Sequence, residues 1–294
     1  MAQDSHTGKE DIFGSALNDV SETLLITLYC RALETKTKDP VLEDYKAVEI
    51  TEKLDPWLSV SESALRRILA RGRVRKNLRL YIALRARRYD RYAREFLAEN
   101  PRGIIVNLGC GLDTRFFRID DGKTVLYDLD LPEVIELKRK FLSESGRYHY
   151  IASSVLNYSW MDRIKERHQG PFLFLAEGLF MYLSQDEVKK LVIELHRTFP
   201  GSYLVCEMAN SAIQKTPLKE LTKFNMRTQL RLGRGAFYSS GISDGKEIER
   251  WAHGIKYLGD WSYFDEKEKK LGLYKLFGRI PLFRKMQWTL HYRL

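Results

Sequence analysis

The pattern that most restricts the fold lies after residue 103, where short apolar runs alternate with stretches of helical periodicity. The apolar runs occupy residues 104–108, 125–129, 148–152, 172–176 and 203–206. Strands that alternate with helices predict a mainly parallel sheet covered by helices. Residues 286–292 alternate in type and are expected to close the sheet as a late strand, paired with residues 255–258.

Residues 18–100 differ from this pattern, because apolar residues recur there at helical spacing and no strand signal interrupts them. We therefore expect an N-terminal helical cap over residues 1–100 and an α/β domain over residues 101–294. Within the α/β domain, residues 211–254 lack a clear strand and are rich in glycine, which indicates a lid insertion after the fifth strand.

The charge of the chain leaves several classes of partner open. With 49 Lys and Arg residues against 39 Asp and Glu residues, the formal net charge is +10, which attracts nucleic acid, a membrane surface or an anionic substrate, or simply makes a soluble basic surface. Acids and bases are mostly interleaved, which favours the soluble surface. The exception is residues 71–94, with ten basic residues and the single acid Asp90.

The N-terminal residues and the cysteines argue against further classes of protein and of metal site. Residues 1–15 are polar, and no window has the length and apolarity of a membrane span, so we expect a cytoplasmic protein without a membrane partner. Cys30, Cys110 and Cys206 are far apart and odd in number, and they form neither a disulfide framework nor a zinc-type pair. We expect no metal.

A glycine-rich loop follows the first predicted strand. Gly109 and Gly111 allow a ligand to approach the backbone closely, because glycine has no Cβ and tolerates positive φ. About twenty residues later the second strand ends in an Asp-Leu-Asp sequence, Asp128 to Asp130, which places a carboxylate where ribose hydroxyls would lie. The pair of features indicates a nucleoside cofactor.

The identity of that cofactor depends on what the loop lacks. Thr114 replaces the third glycine of a dinucleotide fingerprint, Asp113 lies near the expected pyrophosphate, and no triphosphate-binding loop occurs. S-adenosylmethionine, an adenosine with a zwitterionic amino-acid tail, suits the loop best. A nicotinamide cofactor and a purely structural turn remain alternatives at this point.

Arg85 lies on an apolar helical stripe with Leu78, Ile82, Tyr89 and Phe96. A desolvated guanidinium needs a partner, and its geometry suits a carboxylate bound through two hydrogen bonds. That carboxylate is either on a ligand or on an internal Asp or Glu; a side chain that reaches water is the third alternative.

Four ordered motifs together resemble the leucine carboxyl methyltransferase superfamily, and within it the bacterial branch typified by a tetracenomycin polyketide O-methyltransferase. The motifs span residues 85–90, 107–115, 127–132 and 176–183. The resemblance implies a class I S-adenosylmethionine-dependent methyltransferase fold, which is Rossmann-like with a mostly parallel seven-stranded sheet. It also implies S-adenosyl-L-methionine as cofactor.

The resemblance also assigns cofactor-binding roles. Arg85 matches the family arginine that holds the methionine carboxylate, and Gly109 and Gly111 match the loop glycines. Asp130, with Asp128 beside it, matches the acid on the ribose.

Further along the chain, Glu177 matches the family glutamate near the amino group or sulfonium, and Tyr182 follows near the acceptor, where it would position the substrate. Relatives commonly carry Asp-Leu after the third strand to contact adenine, whereas this chain has Ser154 and Val155, which brings no charge to that point. Without the resemblance, Glu177 reads as a strand-end cap and Tyr182 as a core aromatic.

The resemblance points to methyl-ester formation on a small carboxylic acid. None of the six histidines lies in these motifs, which agrees with an acceptor that needs no general base. A phenol, RNA or protein acceptor and a non-catalytic cofactor-binding module are the alternatives, although we do not expect nucleic acid. Apolar residues of the predicted lid are candidates for the acceptor pocket: Phe224, Met226, Phe237 and Tyr238.

Overall fold

The computed structural model describes residues 19–214 and 239–294, and nine α-helices and one seven-stranded sheet lie within them. The helices are α1 (Asp19–Thr35), α2 (Tyr45–Ser59), α3 (Ala64–Ala70), α4 (Lys76–Glu99), α5 (Arg115–Ile119), α6 (Pro132–Arg139), α7 (Ser159–Lys165), α8 (Gln185–Thr198) and α9 (Pro281–Arg284). The strands are β1 (Ile104–Leu108), β2 (Val125–Asp130), β3 (Tyr148–Ala152), β4 (Phe172–Ala176), β5 (Tyr203–Ala209), β6 (Lys256–Trp261) and β7 (Gln287–Arg293).

The strands form one sheet in the order β3-β2-β1-β4-β5-β7-β6. Strands β1 to β5 are mutually parallel, and β7 runs antiparallel to both β5 and β6. This arrangement confirms the predicted Rossmann-like, mostly parallel sheet, including the late strand and its partner. Every residue of β1 and β4 is buried, as expected for central strands covered by helices on both faces.

Local sequence signals account for the helix boundaries. Ser184 begins α8 with a capping box, in which its hydroxyl accepts from the backbone N–H of Glu187 and the Glu187 carboxylate accepts from the N–H of Ser184. Asp44 caps α2 by accepting from the N–H of Ala47 at 3.0 Å. Pro132 occupies the first turn of α6, where its missing N–H leaves no hydrogen bond unmade.

Buried polar contacts join the N-terminal helices to the glycine-rich loop. Arg31 of α1 donates through Nη2 to the carbonyl of Leu112 at 2.8 Å and pairs through Nε with Asp44 at 2.8 Å. The hydroxyl of Thr114 donates to the same Asp44 carboxylate at 2.6 Å. Because these groups are desolvated, a change in one of them leaves its partners unsatisfied, and the loop position depends on helix α1.

Two predictions from the sequence concern the boundary of the helical cap and the lid insertion. The boundary between a cap at residues 1–100 and the domain at 101–294 stays a prediction. Most of the predicted lid, residues 215–238, lies outside the described residues, and with it Phe224, Met226, Phe237 and Tyr238. In the described ranges, no helix has the length and apolarity needed to cross a membrane.

Candidate functional site

The main candidate site is a cavity at the carboxyl ends of the parallel strands. It is lined by the loop after β1, the end of β2, the segment after β4 and one face each of α1 and α4. Strand β1 pairs with β2 on one side and with β4 on the other, so the chain order reverses at this point of the sheet. Ligands of doubly wound sheets bind at such a switch point, because the diverging connections leave a crevice there.

Gly109 and Gly111 form the floor of the cavity, with φ angles of +64° and +50°. A Cβ at Gly109 would lie 2.8 Å from Cδ1 of Leu179, and one at Gly111 would lie 2.7 Å from Cδ2 of Leu24. The N–H of Gly109 donates to the carbonyl of Leu129 at 2.8 Å, which ties the loop to β2. Both positions therefore require glycine, for backbone conformation and for space.

Asp130 lies in the cavity wall at the end of β2. Its carboxylate accepts from the backbone N–H groups of Gly111 at 2.7 Å and Leu131 at 2.8 Å, one on each oxygen. Burial raises the pKa of Asp130, although these hydrogen bonds and Lys138 act in the opposite direction. Each carboxylate oxygen keeps further acceptor capacity, so the group is able to accept hydrogen bonds from a ribose diol.

Asp128 is not brought to the cavity wall. Its side chain is buried and accepts from Asn107 at 2.9 Å and from the Tyr148 hydroxyl at 2.6 Å, and it pairs with Lys138 at 2.6 Å. Lys138 in turn donates to the carbonyl of Asp113 at 2.8 Å. The Asp128–Lys138 pair thus supports the glycine-rich loop from outside the cavity wall. The geometry gives no support for direct contact of Asp128 with a ribose.

Arg85 lines the cavity and is also held by two acids of the protein. Its Nε donates to Glu177 at 2.8 Å, and its Nη1 donates to Glu207 at 2.9 Å. Burial acts against the charge, but the two carboxylates raise the pKa of Arg85 well above its ordinary value. Among the described residues, Nη2 has no hydrogen-bond partner, so the two alternatives of internal ion pair and ligand contact are compatible in one side chain.

Glu177 follows β4 and connects Arg85 to a second arginine. Its other oxygen accepts from Nη2 of Arg115 at 2.5 Å, and Arg115 also pairs with Asp113 at 2.6 Å and Asp90 at 2.9 Å. Burial alone would raise the pKa of Glu177, but Arg85 and Arg115 hold it below its usual range. The carboxylate stays ionised and fixed at the cavity edge.

Glu207 and Tyr81 are parts of the site that sequence reasoning missed. The Tyr81 hydroxyl, in the cavity wall, donates to Glu207 at 2.7 Å. Burial raises the pKa of Glu207, and the nearby Glu177 adds to this, although Arg85 and Tyr81 oppose it. One signal was present in the sequence: Glu207 is the single acid in the otherwise apolar run of β5. A charge in a central strand needs a partner, which marks a buried network.

The remaining predicted residues occupy different surroundings. Tyr182 ends the 3-10 turn Phe180–Tyr182 and lines the cavity. Ser154 and Val155 follow β3 but are not in the cavity wall; the Ser154 hydroxyl accepts from the N–H of Leu156 at 3.2 Å, and the Val155 side chain is buried. Their contact with adenine stays a prediction.

The residues present fit an amino-acid-tailed nucleoside. Asp130 and the tight glycine floor offer acceptors and space at one end, and Arg85 offers a cationic N–H group at the other. Within residues 19–214 and 239–294, no group of three or more His, Cys, Asp or Glu side chains is arranged to hold a metal ion. The three cysteines are free and buried.

Comparison with known proteins gives consistent relatives along most of the chain. The profile of the leucine carboxyl methyltransferase family matches residues 25–196. The tetracenomycin polyketide synthesis O-methyltransferase TcmP of Streptomyces glaucescens is 32% identical over 250 residues, 85% of each chain. An S-adenosyl-L-methionine-dependent methyltransferase of Gibberella zeae, dpfgK, is 29% identical over 249 residues, 82% of this chain and 81% of the relative.

Among solved structures, a DUF574 family protein from Streptomyces avermitilis has a similar fold. The TM-score is 0.55 over 92% of this chain and 96% of that protein, at 13% sequence identity. At that identity the likeness concerns the fold alone.

Proposed function

The chain belongs to the leucine carboxyl methyltransferase family, and from that premise we propose that this S-adenosylmethionine-dependent methyltransferase forms a methyl ester on the carboxylate of a small organic acid. The fold is the class I methyltransferase fold. The observation that carries the proposal is the cavity at the switch point, where Asp130, Gly111 and Arg85 provide for the cofactor while no histidine of the described residues reaches the wall.

The cofactor's own part is to supply an electrophilic methyl group on a sulfonium. Asp130 is assigned to the ribose hydroxyls and Nη2 of Arg85 to the methionine carboxylate. Glu177 keeps its charge at the cavity edge, where it favours the cationic end of the cofactor. These groups are rigid because each is hydrogen-bonded to buried partners, and such positioning contributes much of the rate in a displacement reaction.

The acceptor is assigned from the ionisable groups of the described cavity wall, which leave no general base once Asp130 is assigned to the ribose. Glu177 is held by two arginines, Asp113 pairs with Arg115, and burial raises the pKa of the Cys110 thiol well above its ordinary value. A phenol at neutral pH needs a group to take its proton, whereas a carboxylate is already ionised. The relative TcmP from Streptomyces glaucescens is named a polyketide synthesis O-methyltransferase, which supports an oxygen acceptor on a small molecule.

The basic helix α4 gives less support to a nucleic-acid acceptor than its sequence suggests. Arg79 pairs with Glu34 at 3.0 Å, and Arg87 pairs with Glu266 at 2.9 Å. Part of the positive charge of residues 71–94 is therefore neutralised within the protein.

The test is a methylation assay on matched acceptors. The purified chain is supplied with S-adenosylmethionine and a set of aromatic carboxylic acids, each accompanied by its amide and its phenolic analogue, and the release of S-adenosylhomocysteine is measured. We expect turnover with the acids, and a product whose methyl group is removed by mild alkali as an ester. A product that resists alkali, or turnover confined to the phenols, would contradict the carboxylate assignment.

Tyr182→Phe separates acceptor positioning from cofactor binding. We expect kcat to fall by about fivefold to tenfold, because one hydrogen bond that positions the acceptor is lost. The affinity for S-adenosylhomocysteine should stay unchanged. An equal loss of cofactor affinity would move Tyr182 from the acceptor to the cofactor.

A further inference from the structure

A surface outside the cavity wall carries most of the exposed apolar side chains of the described residues. In the described part of the chain, thirteen large hydrophobic residues are exposed, and eight of them lie between residues 273 and 286. We call residues 269–286 the basic apolar segment. Its eight exposed members are Leu273, Tyr274, Leu276, Phe277, Ile280, Leu282, Phe283 and Met286.

The backbone of the basic apolar segment is built into the fold. Leu271 is buried in a core cluster with residues of α4, and a Cβ at Gly278 would lie 2.5 Å from Cβ of Phe264. Backbone hydrogen bonds also lie within the segment, such as that from the N–H of Ile280 to the carbonyl of Phe277 at 3.0 Å. The exposure of Leu273, at 81%, is therefore a property of the folded chain.

Three of the exposed aromatic side chains lie next to one another and form a patch. The ring centroids of Tyr274 and Phe277 are 6.2 Å apart, and those of Phe277 and Phe283 are 5.6 Å apart. Single exposed apolar residues are common on soluble proteins, but a contiguous patch of this kind marks an interaction surface.

The charge of the segment indicates what the partner is. Residues 269–286 contain six Lys and Arg residues and no acid. Lys270 pairs with Glu34, and Arg284 pairs with Asp260 and Asp265. Three other basic side chains form no ion pair with any described residue: Lys269, Lys275 and Arg279. Free cations therefore stand between exposed apolar side chains, without the interleaved acids found elsewhere on the chain.

We propose that the basic apolar segment docks on the surface of a membrane that contains anionic lipids. Leucine and phenylalanine side chains enter the boundary between headgroups and acyl chains, while Lys275 and Arg279 lie among lipid phosphates. The backbone hydrogen bonds within the segment suit this boundary, where unpaired N–H groups are costly. A second copy of the chain fits less well, because a symmetric contact would bring like charges together with no acid in the segment to pair them.

This inference goes beyond the proposed reaction and does not depend on it. It also departs from the prediction of no membrane partner, because that prediction rests on the lack of a spanning segment and does not concern docking at the surface. The segment runs directly into β7, whose first residue, Gln287, lines the cavity. The basic apolar segment is thus continuous in sequence with a residue of the cavity wall.

Vesicle flotation of the full chain tests the proposal. We expect retention on vesicles of phosphatidylcholine with phosphatidylserine, release as salt is raised, and little retention on phosphatidylcholine alone. Leu273→Ser with Phe277→Ser, and separately Lys275→Glu with Arg279→Glu, should each lower the partition coefficient by about tenfold or more. These residues are exposed, so the thermal midpoints should stay close to that of the unchanged protein.

Matched variants elsewhere on the surface control for composition and charge. Val60→Ser with Leu258→Ser removes two exposed apolar side chains, and Lys189→Glu with Lys190→Glu makes the same change in net charge on α8. Both should bind like the unchanged protein. Equal loss in these controls, equal retention on neutral vesicles, or no retention at all would overturn the proposal. So would a dimer in sedimentation that dissociates in the Leu273 and Phe277 variant while no vesicle is bound.

Discussion

At one end of the cavity, Asp130 is held by the backbone N–H groups of Gly111 and Leu131, whereas at the other end Glu177 is held by the guanidinium groups of Arg85 and Arg115. Burial raises the pKa of the first acid. It acts the same way on the second, but there the two arginines outweigh it and lower the pKa.

The difference lies in how far along the chain the partners are. Asp130 and Gly111 are 19 residues apart, and both belong to one strand-helix-strand unit, β1-α5-β2. Arg85 is 92 residues from Glu177 and 122 residues from Glu207. The end of the cavity at Asp130, which we call the ribose end, is therefore a local structure of the glycine-rich loop. The end at Arg85 and Glu177, which we call the arginine end, forms only when α4, β4 and β5 are packed together. Variants at the two ends should fail in different ways.

The largest expected effect is on stability, at Arg115. Arg115→Met leaves Asp90, Asp113 and Glu177 with fewer partners in a buried position, and the free energy of unfolding should fall by about 3 to 5 kcal/mol. Urea denaturation measures this. Arg197→Met, which removes an exposed arginine paired with Glu194, should change stability little. A loss below about 1 kcal/mol at Arg115 would show that the network is not what holds the arginine end together.

Arg85→Ala should weaken binding of S-adenosylhomocysteine by about 2 to 4 kcal/mol, because a charged hydrogen bond to the amino-acid carboxylate is lost. Calorimetry with 5′-methylthioadenosine is the informative control, since that ligand keeps the adenosine but has no amino-acid tail. Its affinity should be nearly unchanged. If both ligands weaken equally, Arg85 acts by supporting the site as a whole; if neither weakens, it does not contact the cofactor.

Asp130→Ala should instead weaken both ligands alike, by about 1.5 to 3 kcal/mol, because both carry the ribose hydroxyls. Asp128→Ala is the matched comparison. We expect it to lower stability, since Lys138 loses its buried partner, while the preference between the two ligands stays as in the unchanged protein. A selective loss of S-adenosylhomocysteine binding in Asp130→Ala would place this acid at the amino-acid tail.

The same contrast explains what sequence could predict of the fold. The apolar runs of the sequence locate strands β1 to β4 to within one residue, because apolar runs and turns are local signals. Strand β5 was predicted to stop at residue 206 but extends to Ala209. Glu207 interrupts the apolar run there, and its place in a strand depends on Arg85 and Tyr81, which are distant in sequence.

Within the site, the glycines and Asp130 follow from one motif, but which acid of Asp-Leu-Asp meets the cavity does not. Asp128 is covered by Tyr148 of β3 and Lys138 of α6, and only the packing of those elements decides this. Arg85 was found because a charge on an apolar stripe is a local anomaly. Its partners needed the tertiary structure.

The smallest expected effect is the pH dependence of stability that arises from Glu207. Because burial raises the pKa of Glu207 above its ordinary value of 4.5, the folded protein keeps this proton to a higher pH than the unfolded chain does. The contribution of this group to stability is complete below pH 4.5 and declines as pH rises through the raised pKa. Glu177 acts in the opposite sense, because the pKa of that acid is lowered and its contribution is lost as pH falls.

Glu207→Gln keeps a polar group next to Arg85 and Tyr81 but removes the titration. From pH 4.5 upward, the free energy of unfolding of this variant should therefore fall less with pH than that of the unchanged protein. Urea unfolding at several pH values measures it, with Glu136→Gln on the exposed side of α6 as control. Parallel curves for Glu207→Gln and the unchanged protein would mean that the protonation of Glu207 does not change on folding in this pH range, and the predicted pH dependence would be wrong.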